Sequence, residues 1–247
     1  MNSDSRRVFL PRVGSFFFAF AALGICAGGP GSATAQAQAV SSGAPAQFPV
    51  GGVNLALPAP QGMVELGNQR SLFDPAVPDT NRLIAAFILQ KDLPALHDGS
   101  RETLTHYAMV EVLRSGENMT VSADDFKGIA DSIGKQAGEL VDSSFKQSED
   151  EFNRKMKAMD LNLKVTYGKP VMLGTFFFKT DAYSFGMTAP VTANGQTTSM
   201  IVGTVLLRVK SHIVFAYFYT AYKDDQTPGQ VRTLSEQWAD AILAANQ

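Results

Sequence analysis

Cysteine is nearly missing from this 247-residue chain. Cys26 is the only one, and one thiol cannot close a disulfide within its own chain, so a disulfide scaffold is excluded. Neither sign of charge is in excess: 21 basic residues stand against 23 acidic ones, which argues against a nucleic-acid surface, normally basic. No uncharged apolar run reaches the roughly 20 residues that carry a helix across a bilayer. Histidine occurs only at His97, His106 and His212, and tryptophan only at Trp238. The motifs H-E-x-x-H, C-x-x-C, G-x-S-x-G and G-x-G-x-x-G are all absent, which removes the most recognisable metal, redox, hydrolase and dinucleotide signatures. What remains is a chain that is 45% hydrophobic, ordinary for a globular domain.

The N-terminus reads as an export signal. Arg6, Arg7 and Arg12 form a basic start, Val13 to Ala27 run without a charge, and Ala33 to Ala39 offer overlapping A-x-A sites for cleavage after Ala35, Ala37 or Ala39. Basic start, short apolar run and small-residue site together define a cleaved signal peptide. Ser5-Arg6-Arg7-Val8-Phe9-Leu10 resembles the bacterial twin-arginine signal S-R-R-x-F-L-K, with Arg6, Arg7, Phe9 and Leu10 in place and Pro11 where lysine usually stands. That resemblance implies a receptor-read address, not an anchor, and export of a folded protein to the periplasm or beyond. The phenylalanine-rich run leaves general secretion open. Leu23-Gly24-Ile25-Cys26 has the outline of a lipobox, but Ile25 is too bulky for the position before a lipidated cysteine. The chain therefore divides into a signal peptide, 1–39, a small and polar leader, 40–49, and a single domain, 50–247. With the signal removed, no thiol is left for catalysis.

Two strand-rich halves follow, each closed by a helix. Val53 to Leu57 and Met63 to Leu66 read as short strands around a Pro/Gly turn, Phe73 to Asn81 as loop, Leu83 to Leu89 as a strand buried on both faces, and Thr103 to Leu113 as a further extended segment. Ser122 has the character of a helix N-cap, with Asp124 and Asp125 against the positive end of the dipole. Phe126, Ile129, Ile133, Ala137, Leu140 and Val141 recur at spacings of three and four, and the pattern runs on weakly to Met159. A single helix from 122 to 159 would be roughly 57 Å long; Gly128, Gly134, Gly138 and the polar stretch Asp142-Ser143-Ser144 predict two helical pieces with a bend near Asp142 to Ser148. In the second half, Leu161 to Tyr167 alternates with period two. Val171 to Lys179, Tyr183 to Met187, Thr197 to Val209 and His212 to Tyr222 continue as strands, and twelve of the nineteen aromatics beyond the signal follow residue 160. Asn194-Gly195 marks a tight turn; Lys210-Ser211 connects a hairpin without the favoured residues. Thr227-Pro228 reads as cap and first turn of a last helix, whose stripe is Val231, Leu234, Trp238, Ala241, Ile242 and Ala245. Trp238 is expected to pack that helix onto the sheet. The fold class is α+β: a mainly antiparallel sheet covered by a long central helix, bent or continuous, and a C-terminal helix.

Chemistry is thin. Gly128 to Lys135 has five residues between its glycines where a P-loop needs four, and Gln136 stands in place of the Ser or Thr. The histidines are expected as separate residues, not a metal site. Glu149-Asp150-Glu151 followed by Arg154, Lys155 and Lys157 is expected as a solvated helix face, with Glu151–Lys155 and Asp150–Arg154 as i,i+4 pairs. Asp224-Asp225 reads as a turn.

The element order resembles the PsbP/Mog-like fold. The likeness lies in a leading segment Val53-Asn54-Leu55-Ala56-Leu57-Pro58-Ala59-Pro60 ahead of Gly62, one long helix, a hairpin-rich second half, and a closing strand near Ile213 to Tyr222 before the helix 229–245. The resemblance implies a sandwich fold and a small accessory or binding domain without a shared catalytic set, so it assigns no site residues. The expected function is an exported, non-enzymatic accessory or binding protein of the periplasm. Its partners would be the export machinery, through the signal, and a periplasmic protein or small ligand, with no cofactor, no nucleic acid and no permanent membrane span. Two alternatives compete. One is a cofactor-independent hydrolase using His97 or His106. The other is a carrier of lipid or a small hydrophobic ligand lined by Phe176, Phe177, Phe178, Phe215 and Phe218, in which alternation puts Phe176 and Phe178 on one strand face and Phe177 on the other.

Overall fold

A computed structural model describes residues 45–97, 103–160 and 163–247 and the backbone of 23–24; the side chains of Ala95 and His97 are outside the description. The export residues Arg6, Arg7, Phe9 and Leu10 and the cleavage candidates Ala35, Ala37 and Ala39 lie outside the described residues.

In chain order the strands are β1 (Leu23–Gly24), β2 (Gln47–Val50), β3 (Val53–Ala56), β4 (Met63–Glu65), β5 (Asn81–Leu89), β6 (Thr103–Leu104), β7 (His106–Leu113), β8 (Val165–Tyr167), β9 (Val171–Lys179), β10 (Ala182–Ala193), β11 (Gln196–Val209) and β12 (His212–Ala221). The helices are α1 (Leu93–His97), α2 (Ala123–Ala158) and α3 (Thr227–Ala244). A 3-10 segment, Gly67–Ala76, occupies part of what reads as loop in the sequence. The main sheet is antiparallel throughout, in the order β4-β5-β7-β12-β11-β10, and β8 and β9 share the far edge of β10. β2 and β3 form a separate hairpin, so β2 starts inside the stretch read as leader; β1 adds a two-residue ladder with β6.

Both faces of the sheet are apolar. One face carries Tyr107, Met109, Phe185, Met187, Val202, Leu206, Phe215, Tyr217 and Tyr219 and packs under Phe126, Ile133, Val141, Phe145, Phe152 and Met156 of α2. The other carries Phe87, Val110, Ile201, Val205, Val214 and Phe218 and packs under Val231, Trp238 and Ile242 of α3, with Phe48, Val50 and Leu55 of the β2–β3 hairpin beside them. The result is a three-layer sandwich, helix on sheet on helix.

The expected bend in α2 is not there. The helix runs unbroken for 36 residues, about 54 Å. Its stripe of buried residues never lapses, because Ser144 and Ser148 occupy inner positions between Val141 and Phe152. Ser143 and Ser144 return their hydroxyl protons to the Leu140 carbonyl at 3.1 and 2.6 Å, which satisfies them without interrupting the helix. Gly128 and Gly138 face outward. The first turn is as expected: Ser122 Oγ accepts from the Asp125 N–H at 3.1 Å.

On the opposite face, two glycines decide how close α3 comes. Gly186 of β10 and Gly203 of β11 are direct cross-strand partners. A Cβ on Gly203 would stand 2.4 Å from Ser235 Oγ and 3.0 Å from Val231 Cγ1, and one on Gly186 would meet the Phe176 ring at 2.0 Å. The hollow left by the pair thus seats α3 on one side and Phe176 on the other. This shifts the helix stripe from its expected position. Ser235 and Ala239 are buried while Ala241 and Ala245 are exposed, since only a small side chain fits over Gly203. Trp238 packs edge-on to Phe87 at 5.6 Å and donates its indole N–H to the Pro58 carbonyl at 2.8 Å, the anchoring role expected of it.

Three local readings change. Thr227 is already the first helical residue of α3 and Gln226 the cap position, without a side-chain cap bond; Asp224, two residues before it, accepts from the N–H groups of Gln226 and Thr227 at 3.0 Å. Lys210 and Ser211 both take positive φ (46° and 66°), so the hairpin uses the same left-handed turn as Asn194-Gly195 despite its residues. Phe176 is an extra residue in β9, between Phe177, paired with Ser184, and Thr175, paired with Phe185. That bulge breaks the alternation and buries Phe176 and Phe177 together, leaving Phe178 exposed.

Filling the hollow should be costly. Gly203→Val is expected to lower stability by about 2–3 kcal/mol, read as a shift in the urea midpoint at unchanged slope. An unshifted midpoint would mean that α3 does not depend on this contact.

Candidate functional site

The C-terminal turns of α2 overhang the start of β5 and leave a groove of about 560 Å³. Its walls come from four places: Ser71 and Asp74 of the 3-10 segment, Val77, Pro78 and Asp79 of the loop after it, Asn81, Arg82 and Leu83 of β5 with Arg114 just past β7, and Arg154, Lys155, Ala158 and Met159 of α2. The volume suits a small ligand or a few side chains of a partner. A second depression, lined by Gln61, Gln226, Gln230, Thr233 and Gln237 beside the start of α3, is shallow and bears no charge.

Ion pairs hold the groove's rim. The Asp79 backbone N–H donates to Glu151 Oε1 at 2.6 Å. Its carboxylate pairs with Arg154 Nη2 at 2.7 Å and with Lys155 Nζ at 3.0 Å, and Lys155 also meets Glu151 at 3.0 Å and donates to the Val77 carbonyl. The ammonium of Lys155, hydrogen-bonded to it, holds the Asp79 carboxyl below the ordinary range, with Arg154 adding to the effect. Arg82 is committed elsewhere, to Glu117 and to the Pro49 carbonyl at 2.8 Å. The Arg114 guanidinium is exposed and has no ion pair or hydrogen bond among the described residues. Asp74 lies under the same rim, and desolvation pushes its carboxyl up against the pull of Lys155, Arg70 and Arg114.

Behind the groove stands a buried acid. Glu111 of β7 is 1% exposed and accepts from Asn81 Nδ2 at 2.7 Å. Burial raises its carboxyl to about 7; the Asn81 hydrogen bond and the distant charge of Lys155 pull the other way without offsetting it.

The expected solvated face on α2 is therefore largely occupied. Glu149 accepts from the Tyr167 N–H at 2.6 Å, Glu151 and Lys155 tie down the loop before β5, and Arg154 pairs with Asp79 in place of Asp150. The Glu151–Lys155 pair forms as expected. Asn153 completes the seam by exchanging two hydrogen bonds with the backbone of Val165, at 2.7 and 2.9 Å. Charges that look like solvated decoration in one dimension are the stitching between α2 and its neighbours.

His106 and His212 do not meet. His106 Nδ1 lies 2.9 Å from Thr220 Oγ1, and its ring stands edge-on to Phe218; burial, with Lys223 nearby, lowers its pKa. His212 is buried at the other end of β12, with Nδ1 3.1 Å from the Glu117 carbonyl. Eight residues of strand, roughly 26 Å, separate Thr220 from His212. The His97 side chain is outside the description. Among the described residues, no group of three His, Cys, Asp or Glu could hold a metal ion, and no helix is long and apolar enough to cross a membrane. The phenylalanines also diverge. Phe215 packs under α2 and Phe218 under α3. The void beside Phe215, lined also by Ile133, Val141, Phe185 and Leu206, is about 10 Å³, room for one water at most.

Fold and site together define an α+β sandwich with a charged groove at one end of its long helix. No family model matches the sequence, and no curated protein matches it. Among solved structures the chain is similar to the Ran-binding protein Mog1p of Saccharomyces cerevisiae, at 11% identity over 79% of this chain and 89% of that one, with a TM-score of 0.32. It is similar also to the cyanobacterial PsbP of Synechocystis sp. PCC 6803, at 10% identity over 86% and 96%, with a TM-score of 0.31.

Glu111 makes a testable contribution to stability. Its folded-state pKa is raised above the ordinary value of 4.5, so the folded chain holds this proton more tightly and stability falls as pH rises from about 4.5 to about 7. The loss is about 3 kcal/mol. Glu111→Gln, which keeps an acceptor for Asn81, should flatten this slope and exceed the wild type in urea midpoint at pH 8. Parallel midpoint-versus-pH curves would show that Glu111 does not titrate in this window.

Proposed function

We propose that this chain is an exported, non-catalytic binding protein whose ligand or partner seats in the groove between α2 and the start of β5. The observation that carries the reading is the groove itself. It has ligand-sized volume, walls from three separate stretches of chain, and a guanidinium, Arg114, that makes no ion pair or hydrogen bond among the described residues. Export is supported by the N-terminal sequence, with Arg6 and Arg7 for the export machinery and Ala35, Ala37 or Ala39 for cleavage. A hydrolase built on His106 has little support, since its ring is engaged with Thr220 and Phe218. A carrier of hydrophobic ligands is poorly supported as well: Phe176, Phe177 and Phe218 are packed in the core on the α3 side, Phe215 lies on the α2 side beside a void of only about 10 Å³, and Phe178 is exposed.

Two measurements test this reading. Cell fractions of the producing bacterium, weighed intact, should contain a periplasmic species that starts after Ala35, Ala37 or Ala39; full-length chain confined to the cytosol would overturn the export half. For the binding half, a ligand panel screened by melting temperature should yield compounds that stabilise the wild type by several degrees and leave Ala158→Trp, which plugs the groove, unmoved. Equal shifts in both proteins would place the site elsewhere.

A further inference from the structure

We propose that the groove recognises a ligand bearing two or more carboxylates, and that Asp79 occupies the place of one of them in the unliganded protein. The assignment rests on the reading of this groove as the binding site. Four cations line it, but they are not equally free. Arg82 is held by Glu117 and the Pro49 carbonyl, and Lys155 by Val77 and Glu151. That leaves, among the described residues, Arg154, whose one ion pair is with Asp79, and Arg114, whose guanidinium makes no ion pair or hydrogen bond. The Asp79–Arg154 pair is wet on both sides, its side chains 65% and 61% exposed, and exposed pairs of this kind are weak. A ligand carboxylate can therefore displace Asp79 from Arg154 at little loss and take its place beside Lys155, which binds either anion, while a second carboxylate reaches Arg114. Guanidinium accepts carboxylate in a two-pronged geometry that a lone ammonium does not offer.

The rest of the lining fits. Val77, Leu83 and the 56% exposed Met159 give a short apolar strip for the carbon skeleton between the charges. Asp74 is the one other anion in the wall, and Lys155, Arg70 and Arg114 act on it electrostatically. Glu111 lies behind Asn81, out of ligand contact.

Calorimetric titration of the processed protein decides the matter, with citrate in one arm and an acetylated tetra-glutamate peptide in the other. Binding of either probe, weakened by salt, reduced about tenfold or more in Arg114→Gln and in Arg154→Gln, and strengthened severalfold in Asp79→Asn, supports the proposal. Tighter citrate points to a small polycarboxylate and tighter peptide to an acidic protein segment. Arg114 makes no side-chain hydrogen bond or ion pair among the described residues, and an unchanged urea midpoint in Arg114→Gln shows that the variant reads binding. Wild-type affinity in Arg114→Gln, or weaker binding in Asp79→Asn, overturns the proposal. If neither probe binds while some neutral or cationic compound stabilises the wild type and not Ala158→Trp, the carboxylate assignment fails and the groove stands. If no compound distinguishes those two proteins, both fail.

Discussion

β7, β12, β11 and β10 carry large apolar side chains at odd and even positions alike, so neither face of the sheet can be left to water. Two helical covers are required, and the chain has two helices of useful length. α2 must span the width of the sheet alone, from Phe126 at its first turn to Met156 at its last, which is why it stays unbroken through glycines and serines that weaken it locally. Because it is so long, its last turns also reach over the start of β5, with Met156 still buried beneath them and Arg154, Lys155, Ala158 and Met159 facing the groove. The groove is a consequence of that overhang.

The overhang also explains the density of charge there. That end rests on the core only through Phe152 and Met156, and its outward positions are held by polar contacts: Glu149 to Tyr167, Asn153 to Val165, Glu151 and Lys155 to the loop before β5. The same contacts that fasten α2 shape the rim. Within, Asn81 and Glu111 form a buried polar pair at the junction of β5 and β7. A carboxylate there is costly, and the raised pKa of Glu111 expresses that cost. The opposite face is settled by volume, through the Gly186–Gly203 hollow and the small Ser235 above it.

Most of the strands were legible from their alternation, and both long helices from their stripes. β9 is found where the pattern puts it, and β11 and β12 differ from expectation only at one end. What could not be read shares one cause, since the deciding neighbour is remote in sequence. Nothing near Asn153 announces Val165, and nothing near Glu151 announces Asp79. Glu111 did leave a signal, as a lone acid inside the apolar run Ala108 to Leu113, which marks a buried polar contact without naming its partner. Arg114 left none.

Local chemistry, then, determined by itself the fold class, the order of strands and helices, the Ser122 cap and the anchoring of Trp238, because periodicity and capping act within a few residues. Tertiary structure alone decided that α2 is unbroken, that Phe176 joins Phe177 on one side of β9, that the acidic run on α2 is a seam, and that Arg114, Arg154 and Asp79 share a groove. Each of those depends on the space or charge presented by a distant segment, and a one-dimensional pattern holds no measure of either.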